Sequence, residues 1–244
     1  MAKRLTALFL ALLLCAAGAR AETALERNEG EAYFPDEKNW TYHFTYAYPH
    51  LTGEDYTSLL IDETYAMALD EMLQLVLPMF AEEPAMRYDG RNEVRHDFIV
   101  TCNNDRFLSI LQQKAQSRGE AGTLLTLEAQ VFDLAGEYLG EPLTLRGLTL
   151  RDGEYLGESS DQLAAAVLPG LYAEFQRLQA EGVARPEITR AEFEQEFSPA
   201  QCFFADEENR VVFFFPPALL AAPSFDVPLF PFTLDALAAA LKGA

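Results

Sequence analysis

Residues 94–131, VRHDFIVTCNNDRFLSILQQKAQSRGEAGTLLTLEAQV, decide the fold of this chain. Two runs within them, Val94–Cys102 and Leu125–Val131, place apolar side chains at every second position, which is the period of a strand with one buried face. Phe107–Gln113 lies between these runs and is predicted to be the returning strand. Turn-forming residues flank it, Asn103–Asp105 on one side and a pair of glycines on the other. The stretch therefore predicts three consecutive antiparallel strands, a meander.

Helices and further strands are predicted on both sides of the meander. Before it, Thr41–Tyr48 alternates as a strand, and apolar spacings of three and four run from a helix cap at Asp55 to about Met79. Leu59 and Met67 are among the core positions expected of this helix. The elements expected after the meander are a strand over Tyr138–Leu145, a helix over Ser160–Gln179, a short helix within Pro186–Phe197, a hairpin of Phe203–Ala205 and Val211–Phe215, and a helix over Leu234–Leu241. This order predicts an α+β fold with helices packed on antiparallel sheets.

Two polar segments predict the domain organisation. Residues 22–39 are polar and are expected to form a linker. A second polar segment begins at Arg151 and predicts two α+β lobes, residues 40–150 and residues 151–244. A chain of this length can bury its core as one large domain or as two small ones.

Residues 1–21 have the pattern of a secretion signal. A positively charged start is followed by the apolar run Leu5–Leu14 and then by the small-x-small sequence Ala19–Ala21. The run is shorter than the roughly 20 apolar residues that span a bilayer. We therefore predict cleavage before Glu22 and a secreted or cell-envelope location. An uncleaved anchor helix and a lipoprotein acylated at Cys15 are the alternatives.

The charge of the chain limits its partners. Removal of the signal would take away three of the 18 basic residues and none of the 38 acidic ones, which leaves a formal charge of −23. Binding to nucleic acid phosphates needs clustered lysine and arginine, and anionic lipid surfaces attract basic segments. We therefore expect no nucleic acid partner, no binding to anionic lipid surfaces, and attraction to cationic partners. We also expect no membrane span after cleavage, because the apolar run Val211–Ala222 has only 12 residues and contains two prolines.

No catalytic or metal-binding motif appears in the sequence. The three histidines, His43, His50 and His96, lie at no metal-ligand spacing, and His96 is expected to be a hydrogen-bonded core residue. Cys102 and Cys202 are 100 positions apart and are expected to be buried free thiols, with a disulfide as the alternative. We accordingly assign no catalytic, cofactor-binding or metal-ligating residue and expect neither a cofactor nor enzymatic activity.

Three short stretches carry a resemblance to a known family. They are Tyr48–Gly53 before the long helix, Asn104–Ile110 with the later turn Phe132–Gly136, and Phe203–Phe215 with Ala221–Pro223 and Phe230–Pro231. They resemble exported bacterial domains designated DUF4163 (residues 40–150) and DUF3298 (residues 151–244). These domains occur in the anti-sigma factor that senses lysozyme and beside the catalytic domain of a peptidoglycan deacetylase. Ala218 departs from the family pattern, in which a tyrosine is expected.

The resemblance implies a non-catalytic binding or sensory domain of the cell envelope. The partners it implies are a cationic envelope protein of the lysozyme type, or cell-wall glycan. The paired-aspartate and histidine motifs of the deacetylase are absent from this sequence. Two alternatives remain: an enzyme that acts on cell-wall glycan through unidentified carboxylates, and a purely structural secreted protein.

Overall fold

Five strands form the larger sheet in the computed structural model of the chain, in the order β1-β2-β3-β4-β5. The structure describes residues 23–82, 90–117, 122–136, 138–151 and 153–243, so the predicted secretion signal lies outside the described residues. The strands are β1 Leu25–Phe34, β2 Tyr42–Leu51, β3 Asn92–Asn103, β4 Phe107–Ser117 and β5 Thr123–Asp133. The predicted meander β3-β4-β5 is confirmed.

The predicted turn between β3 and β4 is built by one asparagine. The side-chain oxygen of Asn104 accepts hydrogen bonds from the backbone N–H groups of Arg106 and Phe107, at 2.9 Å each. Asparagine favours such turns because its side chain can bond the backbone two or three residues further on.

Two predictions about the larger sheet are wrong. Residues 22–39 do not form a linker, because β1 pairs antiparallel with β2 along its whole length. An edge strand such as β1 needs no apolar alternation, and its central residues are exposed. The sheet is also not wholly antiparallel, because β2 and β3 pair in parallel. The long helix between them acts as a crossover, which is the connection that parallel neighbours require.

A helical layer covers one face of the larger sheet. It consists of α1 Tyr56–Glu71, a π-helical segment Met72–Val76, and α2 Leu77–Glu82. Asp55 caps α1 as predicted, with its carboxylate accepting from the Ser58 N–H at 3.0 Å. The core between this layer and the sheet includes Tyr42, Phe44, Tyr48, Ile61, Tyr65, Leu77, Val94, Phe98, Leu108, Ile110 and Phe132.

The C-terminal part of the chain packs against the opposite face. Its helices are α3 Leu145–Leu148, α4 Ser160–Ala180, α5 Arg190–Glu196 and α6 Leu234–Gly243, with a 3₁₀ turn at Pro217–Leu219. Its antiparallel sheet has the order β6-β7-β8, from Phe203–Ala205, Val211–Phe214 and Leu229–Phe232. The predicted hairpin and the three predicted helices are confirmed, whereas β8 was not predicted. The fold class is α+β.

The predicted strand over Tyr138–Leu145 is wrong. Only isolated bridges occur there, between Asp133 and Leu139 and between Phe132 and Pro142. Pro142 has no N–H to donate to a ladder, and α3 begins at Leu145.

The core of the C-terminal part crosses the predicted boundary at Arg151. Buried residues from before that position belong to it: Cys102, Phe107, Val131, Leu145 and Leu148. They pack in one cluster with residues of α4, α5, β6 and β7, among them Leu171, Phe175, Phe193, Phe213 and Phe215. The Ser109 hydroxyl also accepts from the Ala205 N–H at 3.2 Å and joins the two sheets. Residues from both sides of Arg151 therefore build this core, which is a separate cluster from the core under the helical layer.

A β-bulge explains why Cys102 joins this core. Val100 pairs with Ile110 but Cys102 pairs with Ser109, so Thr101 is an extra residue in β3. One extra residue reverses which face the following side chains point to. Cys102 therefore lies on the opposite face of the sheet from Phe98, and not on the same face as the sequence alternation predicted.

Candidate functional site

The three histidines lie apart, each with its own partner. His96 is mostly buried, and its Nδ1 lies 2.6 Å from the Tyr48 hydroxyl. Burial, and then the nearby Lys114 ammonium, lower the pKa of His96 to about 4, so its imidazole is neutral at pH 7. This confirms the predicted hydrogen-bonded core histidine. His43 pairs with Glu31, and His50 pairs with Asp62. Across the described residues, no group of three or more His, Cys, Asp or Glu side chains could hold a metal ion.

Cys102 and Cys202 are free thiols in the structure. Burial raises the pKa of Cys102 to about 12 and the pKa of Cys202 to about 11. Because the thiolate is the reactive form, neither thiol is activated as a nucleophile at neutral pH.

Two of the stretches that carry the family resemblance contribute to the lining of a cavity of about 470 Å³. Gly53, Asn104 and Leu134 are among the residues that line it. The side chains of Asn104 and Asp133 in these stretches are already hydrogen-bonded within the protein. The buried Asp133 carboxylate accepts from the N–H groups of Gly136 at 2.8 Å and Tyr138 at 2.9 Å. These stretches therefore build turns.

The most distinctive surface is on the helical layer. Nine large hydrophobic side chains are exposed among the described residues, and five of them lie on α1, the π-helical segment and α2. Their exposed fractions range from 41% for Met79 to 74% for Tyr56. The five side chains are Tyr56, Leu59, Met67, Leu75 and Met79, and we call this surface the apolar helix face.

The π-helical segment brings the two halves of this face into line. In an uninterrupted α-helix, residues turn by about 100° each, so Leu75 would point about 80° and Met79 about 120° away from Met67. In the π-helical segment Met72–Val76 each hydrogen bond spans one more residue, which reduces the rotation per residue. Leu75 and Met79 are therefore turned back toward the side of Met67.

The charge around the apolar helix face has one sign. The segment Tyr56–Glu82 contains five acidic residues and no lysine, arginine or histidine. Glu63, Asp70 and Glu71 are exposed on the same helices. The surface thus combines adaptable apolar side chains, including two methionines, with a negative field.

Sequence reasoning missed this surface. Leu59 and Met67 were predicted to be core residues because their spacing fits a buried stripe, but their exposed fractions are 57% and 65%. The helix carries apolar residues on more than one side, and only one side can pack on the sheet. That excess of apolar residues was the indication in the sequence that the helix would expose an apolar surface.

Solved structures share the architecture described above. One is a DUF3298 family protein from Pseudomonas aeruginosa PAO1, with a TM-score of 0.52 and 14% identity over 89% of this chain and 93% of that chain. The chain has the DUF3298 fold. A second is a DUF3298 family member from Bacteroides fragilis NCTC 9343, with a TM-score of 0.52 and 13% identity over 92% of this chain and 100% of that chain. No protein-family model and no curated protein matches the sequence.

The DUF3298 likeness covers most of the chain, so it extends to both sides of Arg151. At these identities it establishes the shared fold and no activity. Among the described residues, no helix is both long and apolar enough to cross a membrane.

Proposed function

We propose that this protein is an exported, non-catalytic domain of the cell envelope that binds a cationic protein through the apolar helix face. The observation that carries the proposal is the concentration of exposed large hydrophobic side chains on one helical layer. Contiguous exposed apolar surface on a soluble protein marks an interaction site more often than scattered apolar residues do.

The charge of the protein supports a cationic partner. The acidic residues beside the apolar helix face attract cations, and the whole chain carries a formal charge of −20 before any cleavage. A basic protein would be steered to this surface, and apolar contacts would then hold it. A lysozyme-type wall hydrolase has this chemistry, and it is the partner class implied by the family resemblance.

Calorimetry with a basic lysozyme, at low salt and at about 0.5 M salt, tests the proposal. The test variant carries Met67→Ser and Leu75→Ser, which leave the net charge unchanged. We expect at least a tenfold loss of affinity, because central apolar anchors carry most of the binding energy at an interface. The matched control carries Val183→Ser and Leu229→Ser, which remove similarly exposed side chains elsewhere, and it should bind within about twofold of the wild type.

Three results would count against this function. Equal binding by the two double variants would remove the apolar helix face as the interface. Complete loss of binding at high salt would mean that the acidic residues form only a solvated shell and not part of a specific site. Release of soluble fragments from peptidoglycan, detected by mass spectrometry, would support the alternative of a glycan-acting enzyme.

The export part of the proposal has a separate test. The pattern of residues 1–21 predicts a mature protein that begins at Glu22. N-terminal sequencing of the extracytoplasmic protein should find that residue. An intact Met1 in an integral membrane fraction would support the anchor alternative.

A further inference from the structure

A second cavity, of about 230 Å³, lies between the helical layer and the larger sheet. It is behind the π-helical segment, on the inner side of the helices that carry the apolar helix face. A ligand in this cavity would be separate from the proposed protein partner, which binds the outer side of the same helices.

The helical side of the cavity is apolar. Met72 and Val76, at the two ends of the π-helical segment, line it together with Leu77 and Phe80 of α2. Val94 and Leu124 add apolar surface from β3 and β5. π-helical turns are rare and often occur at functional sites, and here both ends of the turn contribute to the cavity wall.

The sheet side of the cavity is polar and carries one charge. Lys114, Gln116 and Thr126 line it from β4 and β5, and His96 lines it from β3. Among the described residues that line the cavity, Lys114 is the only one charged at pH 7, because His96 is held neutral by burial. The Lys114 ammonium also pairs with the Glu128 carboxylate. The Glu128 side chain is about half exposed and is not part of the cavity lining.

We propose that this cavity binds a small monocarboxylic acid, with its apolar body against the π-helical segment and its carboxylate at Lys114. The volume fits a molecule of about nine non-hydrogen atoms, in proportion to the 150 Å³ apolar cavity that holds benzene. A carboxylate complements the single positive charge of the lining. The Glu128 carboxylate offsets part of the Lys114 charge from outside the lining, so the bound carboxylate would compete with Glu128 for the Lys114 ammonium.

Three six-carbon probes that differ in their head group test the proposal: hexanoate, hexanamide and hexylammonium. Binding is measured by titration of the protein with each probe, followed by ¹H–¹⁵N NMR shifts. Hexanoate should bind about fivefold more tightly than hexanamide, since a partly exposed ion pair adds a modest increment, and hexylammonium should bind more weakly than either. The largest shifts should be those of the amides of β3, β4 and the π-helical segment.

Variants of the lining separate the charge contribution from the volume contribution. Lys114→Gln should abolish the preference for hexanoate over hexanamide, while hexanamide binding stays within about twofold. Glu128→Gln should increase hexanoate affinity severalfold, because it frees the Lys114 ammonium. Val76→Phe should abolish binding of both probes by filling the cavity. Leu124→Phe fills the cavity from the side of the sheet. It is used in place of Val76→Phe if thermal unfolding shows that Val76→Phe does not fold.

The proposal is overturned if hexanoate binds no better than hexanamide, if hexylammonium binds best, or if the filled variants bind like the wild type. A shift pattern confined to surface amides outside the lining would also overturn it.

Discussion

Replacement of Phe107 by alanine tests whether the two halves of the chain form one cooperative unit. Phe107 lies on β4, before the predicted boundary at Arg151, but it is 1% exposed in the core shared with α4 and β7. Truncation of a buried phenylalanine to alanine costs about 3–5 kcal/mol of stability. For a chain of this size, that loss lowers the melting temperature by about 6–20 °C.

Two spectroscopic probes report on the two halves. Trp40 is the only tryptophan, and it lies between β1 and β2 beside Tyr33 and under Arg91. Far-UV circular dichroism at 222 nm (a wavelength for helices) is weighted toward the C-terminal part, because α3, α4, α5 and α6 together contain more residues than the helical layer Tyr56–Glu82. In Phe107→Ala, the tryptophan fluorescence and the circular dichroism should shift by the same amount, because both depend on the shared core.

The control is Ile99→Ala, on the neighbouring strand β3. Ile99 is 47% exposed, so its loss should cost less than about 1 kcal/mol. The reasoning is refuted if Phe107→Ala shifts the dichroism transition and leaves the Trp40 transition in place. That result would mean that residues 40–150 unfold independently of the C-terminal half.

Three further predictions concern buried polar groups. The pKa of His96 is about 4 in the folded protein and 6.5 as the reference value, so the unfolded state binds more protons between these values. Stability should therefore fall by about 3 kcal/mol as pH falls from 6.5 to 4, as measured by urea unfolding, and His96→Gln should lose this dependence. Asp133→Ala should cost about 1–3 kcal/mol in the same assay, because it leaves buried backbone N–H groups without their acceptor; Asp133→Asn should cost less. Cys102 and Cys202 should not react with a thiol reagent at pH 8 in the native protein, because burial raises both pKa values, and both should react after denaturation; fast native labelling of either would contradict their burial.

Elements with a strong local pattern were predictable from the sequence. The meander has period-two alternation with asparagine and glycine turns, and α4 has buried residues at spacings of three and four. The cap at Asp55 also follows from local chemistry. In these places the hydrophobic period and the turn residues specify the same structure, so little depends on distant contacts.

Elements that depend on distant contacts were not predictable in the same way. β1 is polar and exposed, and it is a strand only because β2 offers it an edge. Its Gly30 lies directly opposite Tyr46, whose ring occupies the space where a Cβ atom would be. β8 contains Pro231, which disfavours a strand, and it forms because it pairs antiparallel with the open edge of β7.

The candidate site was the least predictable part. Exposure of Leu59 and Met67 follows from how α1 is oriented on the sheet, and the spacing of apolar residues does not fix that orientation. The π-helical segment contains no proline, and Pro78, two residues after its end, is the nearby sequence mark of an irregular helix. That mark gives neither the alignment of the apolar helix face nor the position of the second cavity.

The edges of the two sheets affect how the chain behaves when it is crowded with copies of itself. An open edge strand offers free N–H and C=O groups to any other strand, and this is how sheets polymerise. β1 carries charged side chains at Glu26, Arg27, Glu29 and Glu31, and β8 carries Pro231, which cannot donate a ladder hydrogen bond. These two edge strands, of the four that the sheets have, are therefore poor templates for intermolecular strand addition, which protects against aggregation.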